Sequence, residues 1–151
     1  MNMIRNIVAV ILLFTLSPLT VFADNPGSAT SEPRQQPVIA LEIAADVSEE
    51  EAIEAMISKA GELNLVVVAV HNSKYVTSLE LCAPSIAEVL LRFDPTLSVY
   101  VPCRVTVIDR KIMTLDFSNV IQKLPPDLQK LAGSVVQRVG EIMHAGSIGE
   151  F

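Results

Sequence analysis

Four side chains in this sequence are of types that could do chemistry: the thiols of Cys82 and Cys103, the guanidinium of Arg104 and the imidazole of His71. Two of them fall in the stretch YVPCRVTVID, Tyr100 to Asp109, where alternating valines read as a β-strand. On that reading Val99, Val101, Cys103, Val105 and Val107 share one face, and Tyr100, Pro102, Arg104, Thr106 and Ile108 share the other. The thiol is expected against the apolar layer and the guanidinium away from it. Pro102 has no N–H to give a central ladder, so the strand is expected at a sheet edge or at a bulge. A bulge beside a thiol and an arginine would re-aim side chains towards a pocket.

Three chemistries compete for the cysteine pair. A Cys82–Cys103 disulfide would close a loop of about 20 residues and stabilise by roughly 3 kcal/mol on the chain-entropy account. Parity opposes it. Leu79 and Leu81 should face the core, which starts Cys82 on the opposite face from Cys103, so only the strand end at Ala83-Pro84 or a bulge at Pro102 would bring the sulfurs together. Alternatively both are reduced and Cys103 is a small buried hydrophobe. In the third reading they are a reactive or metal-binding pair, with the charge of Arg104 favouring thiolate.

His71 closes an apolar run in VAVHNSKY. It reads either as a strand-end residue facing a loop or as a ligand for a transition metal or haem, with Cys82 or Met113 as second donor. His144 lies near the end of a long helical stripe, where a cation meets the helix dipole. Neither a CxxCH for haem nor a CxxC pair for zinc occurs, so no cofactor is assigned. Arg104 either pairs across strands with Glu80 or Asp116 or forms an anion site. GxSxG, HExxH and a Gly-rich phosphate loop are all missing, and no enzyme is expected.

The elements that must position these groups follow from periodicity. VIALEIA (Val38–Ala44) alternates, with Ile39, Leu41 and Ile43 on one face. In SEEEAIEAMISKAGEL, Ser48 and Glu51 have capping-box spacing, and Ile53, Met56, Ile57 and Ala60 repeat at helical spacing. The acids Glu49 to Glu51 suit the positive end of that helix better than a metal. LVVVAV (Leu65–Val70) is continuously apolar, hence a strand covered on both faces or lying in a subunit contact. VTSLEL alternates again. Pro84 then opens a helix with Ile86, Val89, Leu90 and Phe93 on one stripe, which Asp94-Pro95 ends. SVYVPCRVTVI and KIMTLDF form a hairpin turning at Asp109-Arg110. A final helix from Pro126 to His144 carries Leu128, Leu131, Ala132, Val135, Val139, Ile142 and Met143. The expected class is α+β: an antiparallel sheet with helices on one face, in the order β-α-β-β-α-β-β-α.

Residues 1–23 read as a secretory signal peptide: one basic residue, Arg5, then an apolar run from Ile7 and small residues before a cut after Ala23. An uncleaved anchor is the alternative. Residues 24–37, rich in Pro, Ser, Gly and Gln, read as a disordered linker, residues 38–146 as one domain, and residues 147–151 as a flexible tail. Cleavage removes Arg5 and no acid, taking the charge from −6 to −7. So acidic a chain, without a basic cluster, argues against nucleic acid or an anionic membrane surface as partner. The expected location is periplasmic or secreted, where a disulfide is permitted.

Three pieces in order, LCAPSIAEVLLRFDP (Leu81–Pro95), VYVPCRVTVID (Val99–Asp109) and the helix from Pro126, resemble the bacterial and archaeal domain-of-unknown-function family DUF302. Cys82-Ala83-Pro84, Asp94-Pro95 and Pro102-Cys103-Arg104 occupy the slots of its pattern, with Ala83 in place of the usual asparagine. The resemblance implies a TATA-binding-protein-like fold, often dimeric, with no established activity and no catalytic residues to carry over. The functional expectation is an exported, homodimeric binding domain. Its ligand, a small molecule or anion, would lie near Cys82, Cys103, Arg104 and His71. A thiol- or metal/haem-dependent redox protein is the rival.

Overall fold

The structure, a computed structural model, describes residues 37–151. The signal peptide and nearly all of the linker expected from the sequence lie outside the described residues. Within them the elements run β1 (Val38–Glu42), α1 (Glu49–Glu62), β2 (Val66–Asn72), β3 (Thr77–Cys82), α2 (Pro84–Phe93), a 3₁₀ turn (Pro95–Val99), β4 (Cys103–Ile108), β5 (Lys111–Leu115), a short α3 (Ser118–Ile121) and α4 (Pro126–Ile148). This is the expected α+β order with a 3₁₀ turn and one short helix added. The five strands form one antiparallel sheet in the order β1-β5-β4-β3-β2. A one-faced antiparallel sheet of this kind is compatible with the TATA-binding-protein-like arrangement.

Alternation puts Leu79, Leu81, Val105, Val107 and Ile112 on one face, all buried against Met56 and Ala60 of α1 and Val139, Ile142 and Met143 of α4. The intervening Glu80, Arg104, Thr106 and Met113 point the other way and keep contact with solvent. Helix α1 starts as its sequence requires: Ser48 Oγ accepts from the Glu51 N–H at 3.1 Å, and Glu51 Oε2 accepts from the Ser48 N–H at 2.8 Å. The β4–β5 hairpin turns at Asp109 and Arg110, both with positive φ (47° and 59°), the signature of a two-residue type I′ turn.

Four expectations are corrected. Strand β4 is the middle strand, not an edge, and it starts at Cys103. Pro102 therefore sits just ahead of the ladder, where a missing N–H costs nothing, and Val99, which belongs to the 3₁₀ turn, is 77% exposed. The apolar run in β2 is the sheet's edge and is not covered on both faces: Val66, Val68 and Val70 are 51%, 56% and 40% exposed. On α2 the buried residues are Ala87 and Leu90, whereas Val89 and Phe93 are exposed, because the helix is covered from one side only. Finally, α4 does not stop near His144. It continues to Ile148, with Ala145, Gly146 and Ser147 buried and Gly149 closing it in the left-handed conformation (φ 65°). The start of the expected tail at 147–151 is thus part of the domain, held by the Ala44 N–H donating to the Ser147 carbonyl at 2.8 Å.

Candidate functional site

The four residues singled out by chemistry gather at two places. Strand β3 ends at Cys82, β4 begins at Cys103 and β5 ends at Leu115, so antiparallel pairing brings these three positions to one end of the sheet. Leu81 lies opposite Cys103 in the ladder, which makes Cys82 and Cys103 near neighbours. The two sulfurs are unbonded in this structure, and both cysteines line one apolar cavity of about 60 Å³ under α2, α3 and α4. Leu81, Leu90, Val120, Leu124, Ala132 and Val135 contribute to its wall. Desolvation and the neighbouring Cys82 sulfur push the Cys103 thiol up to about 11, and burial also raises that of Cys82. Of the three readings of the pair, this disfavours the one in which Arg104 promotes a thiolate: the guanidinium is on the far side of the sheet, and the cavity disfavours charge.

Arg104 and His71 meet instead on the outward sheet face, through Glu80. Arg104 Nη2 donates to Glu80 Oε1 at 2.9 Å across the β3–β4 ladder, and His71 Nε2 lies 3.5 Å from the same oxygen. Glu80 is the more covered partner, its side chain 18% exposed against 65% for Arg104. The cross-strand pair expected with Glu80 is therefore present. Asp116 does something else. Its Oδ1 accepts from the N–H and hydroxyl of Ser118 at 2.8 and 2.5 Å, a local turn ahead of α3 that holds the Asp116 carboxyl below its ordinary range. His71 reaches this face because β2 is bulged between Val67 and Ala69, which sets it opposite Ser78.

Beside Arg104 lies an open groove of about 540 Å³, walled by Val38, Val99, Pro102, Met113 and Leu115, with Ser98 and Thr106 as polar members. Groove and cavity share Tyr100, Val101 and Phe117. The two rings stand edge to face with centroids 6.2 Å apart and planes at 82°. Neither aromatic was marked by the sequence pattern as part of a site. Among the described residues no three His, Cys, Asp or Glu side chains converge into a metal-binding group.

The model of a family described as "domain of unknown function DUF302" matches residues 39–146. The chain belongs to the DUF302 family. The matched span covers β1 through most of α4, including both cysteines, the Pro-Cys-Arg segment and both aromatics. Comparison with curated proteins returns no match. The crystal structure of an uncharacterized conserved DUF302 protein from Bacillus stearothermophilus is similar at a TM-score of 0.60 and 15% identity, covering 72% of this chain and 96% of that one. That likeness extends the shared DUF302 fold to a distant sequence.

Proposed function

We propose that this DUF302 chain is an exported, homodimeric binding domain that holds a small anionic molecule in the groove lined by Pro102 and Arg104. The observation that carries this reading is the setting of Arg104. Its guanidinium has five N–H donors and makes one side-chain hydrogen bond, to Glu80. Arg104 and Glu80 both line a mostly apolar groove of about 540 Å³, within the size range of small-molecule sites. His71 Nε2 lies 3.5 Å from the same Glu80 oxygen, so that carboxylate keeps a polar neighbour when Arg104 engages a ligand.

A fluorescent apolar anion, anilinonaphthalene sulfonate, tests the site. Saturable one-to-one binding by the mature protein that Arg104→Met abolishes supports the reading; binding that is absent, or indifferent to Arg104, overturns it. Export is supported by the apolar run and Ala23, and predicts a mature chain beginning at Asp24. Self-association is supported by β2, whose exposed Val66, Val68 and Val70 lie on a sheet edge. The bulge there breaks the regular rim, so side chains rather than a continuous ladder make the contact. A dimer in sedimentation at micromolar concentration that Val68→Lys dissociates is the expected result; a wild-type monomer would contradict it.

A further inference from the structure

We infer that the ligand is a free alkyl carboxylate whose head sits at Arg104 and whose tail passes between Tyr100 and Phe117 into the cavity lined by the two cysteines. This rests on the binding reading above and assigns the chemical class of what is bound.

Three observations converge on it. The groove and the inner cavity are separate in position, one on the outward face of the sheet and one under the helices, yet Tyr100, Val101 and Phe117 wall both. They meet where β4 begins and β5 ends, so the rings rather than the sheet divide the two spaces. Polarity is graded along the same path. Arg104, Glu80, Ser98 and Thr106 lie at the groove, whereas among the described residues no charged side chain lines the cavity. A carboxylate would pay a large desolvation cost inside, and a hydrocarbon chain would gain there. Size agrees as well. At about 60 Å³ the cavity falls far short of a site for a whole small molecule, but suits the end of a chain anchored outside it. Tyr100 is part-exposed and lies between the 3₁₀ turn and β4, so it is the ring placed to yield, while Phe117 is buried.

Displacement of the fluorescent anion by straight-chain carboxylates, from butanoate to dodecanoate, tests this on the mature protein. Each methylene that leaves water should raise affinity about fourfold, until the cavity is full. In a Cys82→Ser variant, alkylation of Cys103 by N-ethylmaleimide reports the tail directly. Long carboxylates should slow it by more than tenfold, and butanoate should leave it unchanged. Ala132→Leu, which narrows the cavity, should end the rise in affinity at a shorter chain while short carboxylates bind as before. Tight Arg104-dependent binding of dodecanoate that leaves Cys103 alkylation unchanged would overturn the inference and spare the binding reading. Failure of every carboxylate and of the fluorescent anion to bind through Arg104 would overturn both.

Discussion

The Arg110 guanidinium donates through Nη2 to the carbonyl of Ala44 at 2.6 Å, across 66 positions of sequence. The same nitrogen lies 3.1 Å from the Val47 carbonyl and 3.3 Å from that of Ile43, while the Arg110 N–H donates to Glu49 Oε1 at 2.7 Å. A hairpin-turn residue thus ties down the whole connection between β1 and α1. Hydrogen bonds from a charged donor are worth about 1.5–3 kcal/mol when well covered. Arg110 is largely exposed, so Arg110→Ala is expected to cost about 1–2 kcal/mol, read as a lower urea midpoint with an unchanged slope. Arg110→Lys should recover only part of it, since an ammonium is more strongly hydrated than a guanidinium and gives up more on leaving water.

Substitutions of glycine in α4 should have opposite signs. A methyl group on Gly146 would lie 2.5 Å from Met56 Cγ and 3.0 Å from the Ala52 carbonyl oxygen and from Ile112 Cδ1. Gly146→Ala should therefore push α4 off α1 and the sheet and destabilise by about 1–3 kcal/mol, less the helix-propensity gain. Gly133 and Gly140 have nothing within 4 Å of an added methyl, so alanine at either should stabilise by about 0.5–1 kcal/mol. Thermal unfolding of the three variants decides this, and a stabilised Gly146→Ala would refute the close approach.

Stability should fall on the alkaline side because of Cys103. Its thiol is held up to about 11 in the folded protein, whereas an unfolded cysteine ionises near about 8.5. Between those values the unfolded state has lost a proton that the folded state keeps, so the contribution is complete below about pH 8.5 and disappears as pH rises towards 11. Unfolding curves across that window should show a downward slope that Cys103→Ala removes. A thiol count on unreduced, denatured protein belongs beside this measurement: two free thiols would exclude the disulfide and leave the titration intact.

On the acid side the α1 cap should titrate. The Ser48 N–H and hydroxyl hold the Glu51 carboxyl below its ordinary range. A lowered carboxyl contributes stability that is present above its unfolded value and is lost as pH falls through its folded one. Glu51→Ala should lower the denaturation midpoint at neutral pH, and the gap from wild type should close as the medium is acidified. A gap that stays constant to low pH would show that Glu51 takes no part in the cap.

Strictly local patterns told most about this fold. Leu79 and Leu81, Val105 and Val107, and Leu41 and Ile43 share the core face as their alternation requires, Ile39 pairs in the same register but is 41% exposed, and Ser48 with Glu51 marks the start of α1. The misreadings share a physical origin in tertiary context. Val99 and Val101 continue the alternation of β4, but Pro95 and Pro102 keep that segment out of the ladder. His71 joins Glu80 on the outward face only because one extra residue is bulged out of β2, and a run of small apolar residues gives no sign of where a bulge falls. Ala145, Gly146 and Ser147 resemble a loose end in sequence; they are small because α4 crosses Met56 so closely. Tyr100 and Phe117 come together only through the β4–β5 hairpin, so no short window of sequence could pair them.

The position of β1 has a kinetic implication. Val38 pairs with Leu115, 77 positions later, while the other four strands form a meander of hairpins and one longer connection. The meander can zip up from nearby contacts, but the amino-terminal strand must wait for β5 before it has any neighbour to bond. During synthesis this strand is therefore the last of the five to find its place, and a nascent chain halted before residue 111 would hold it unpaired.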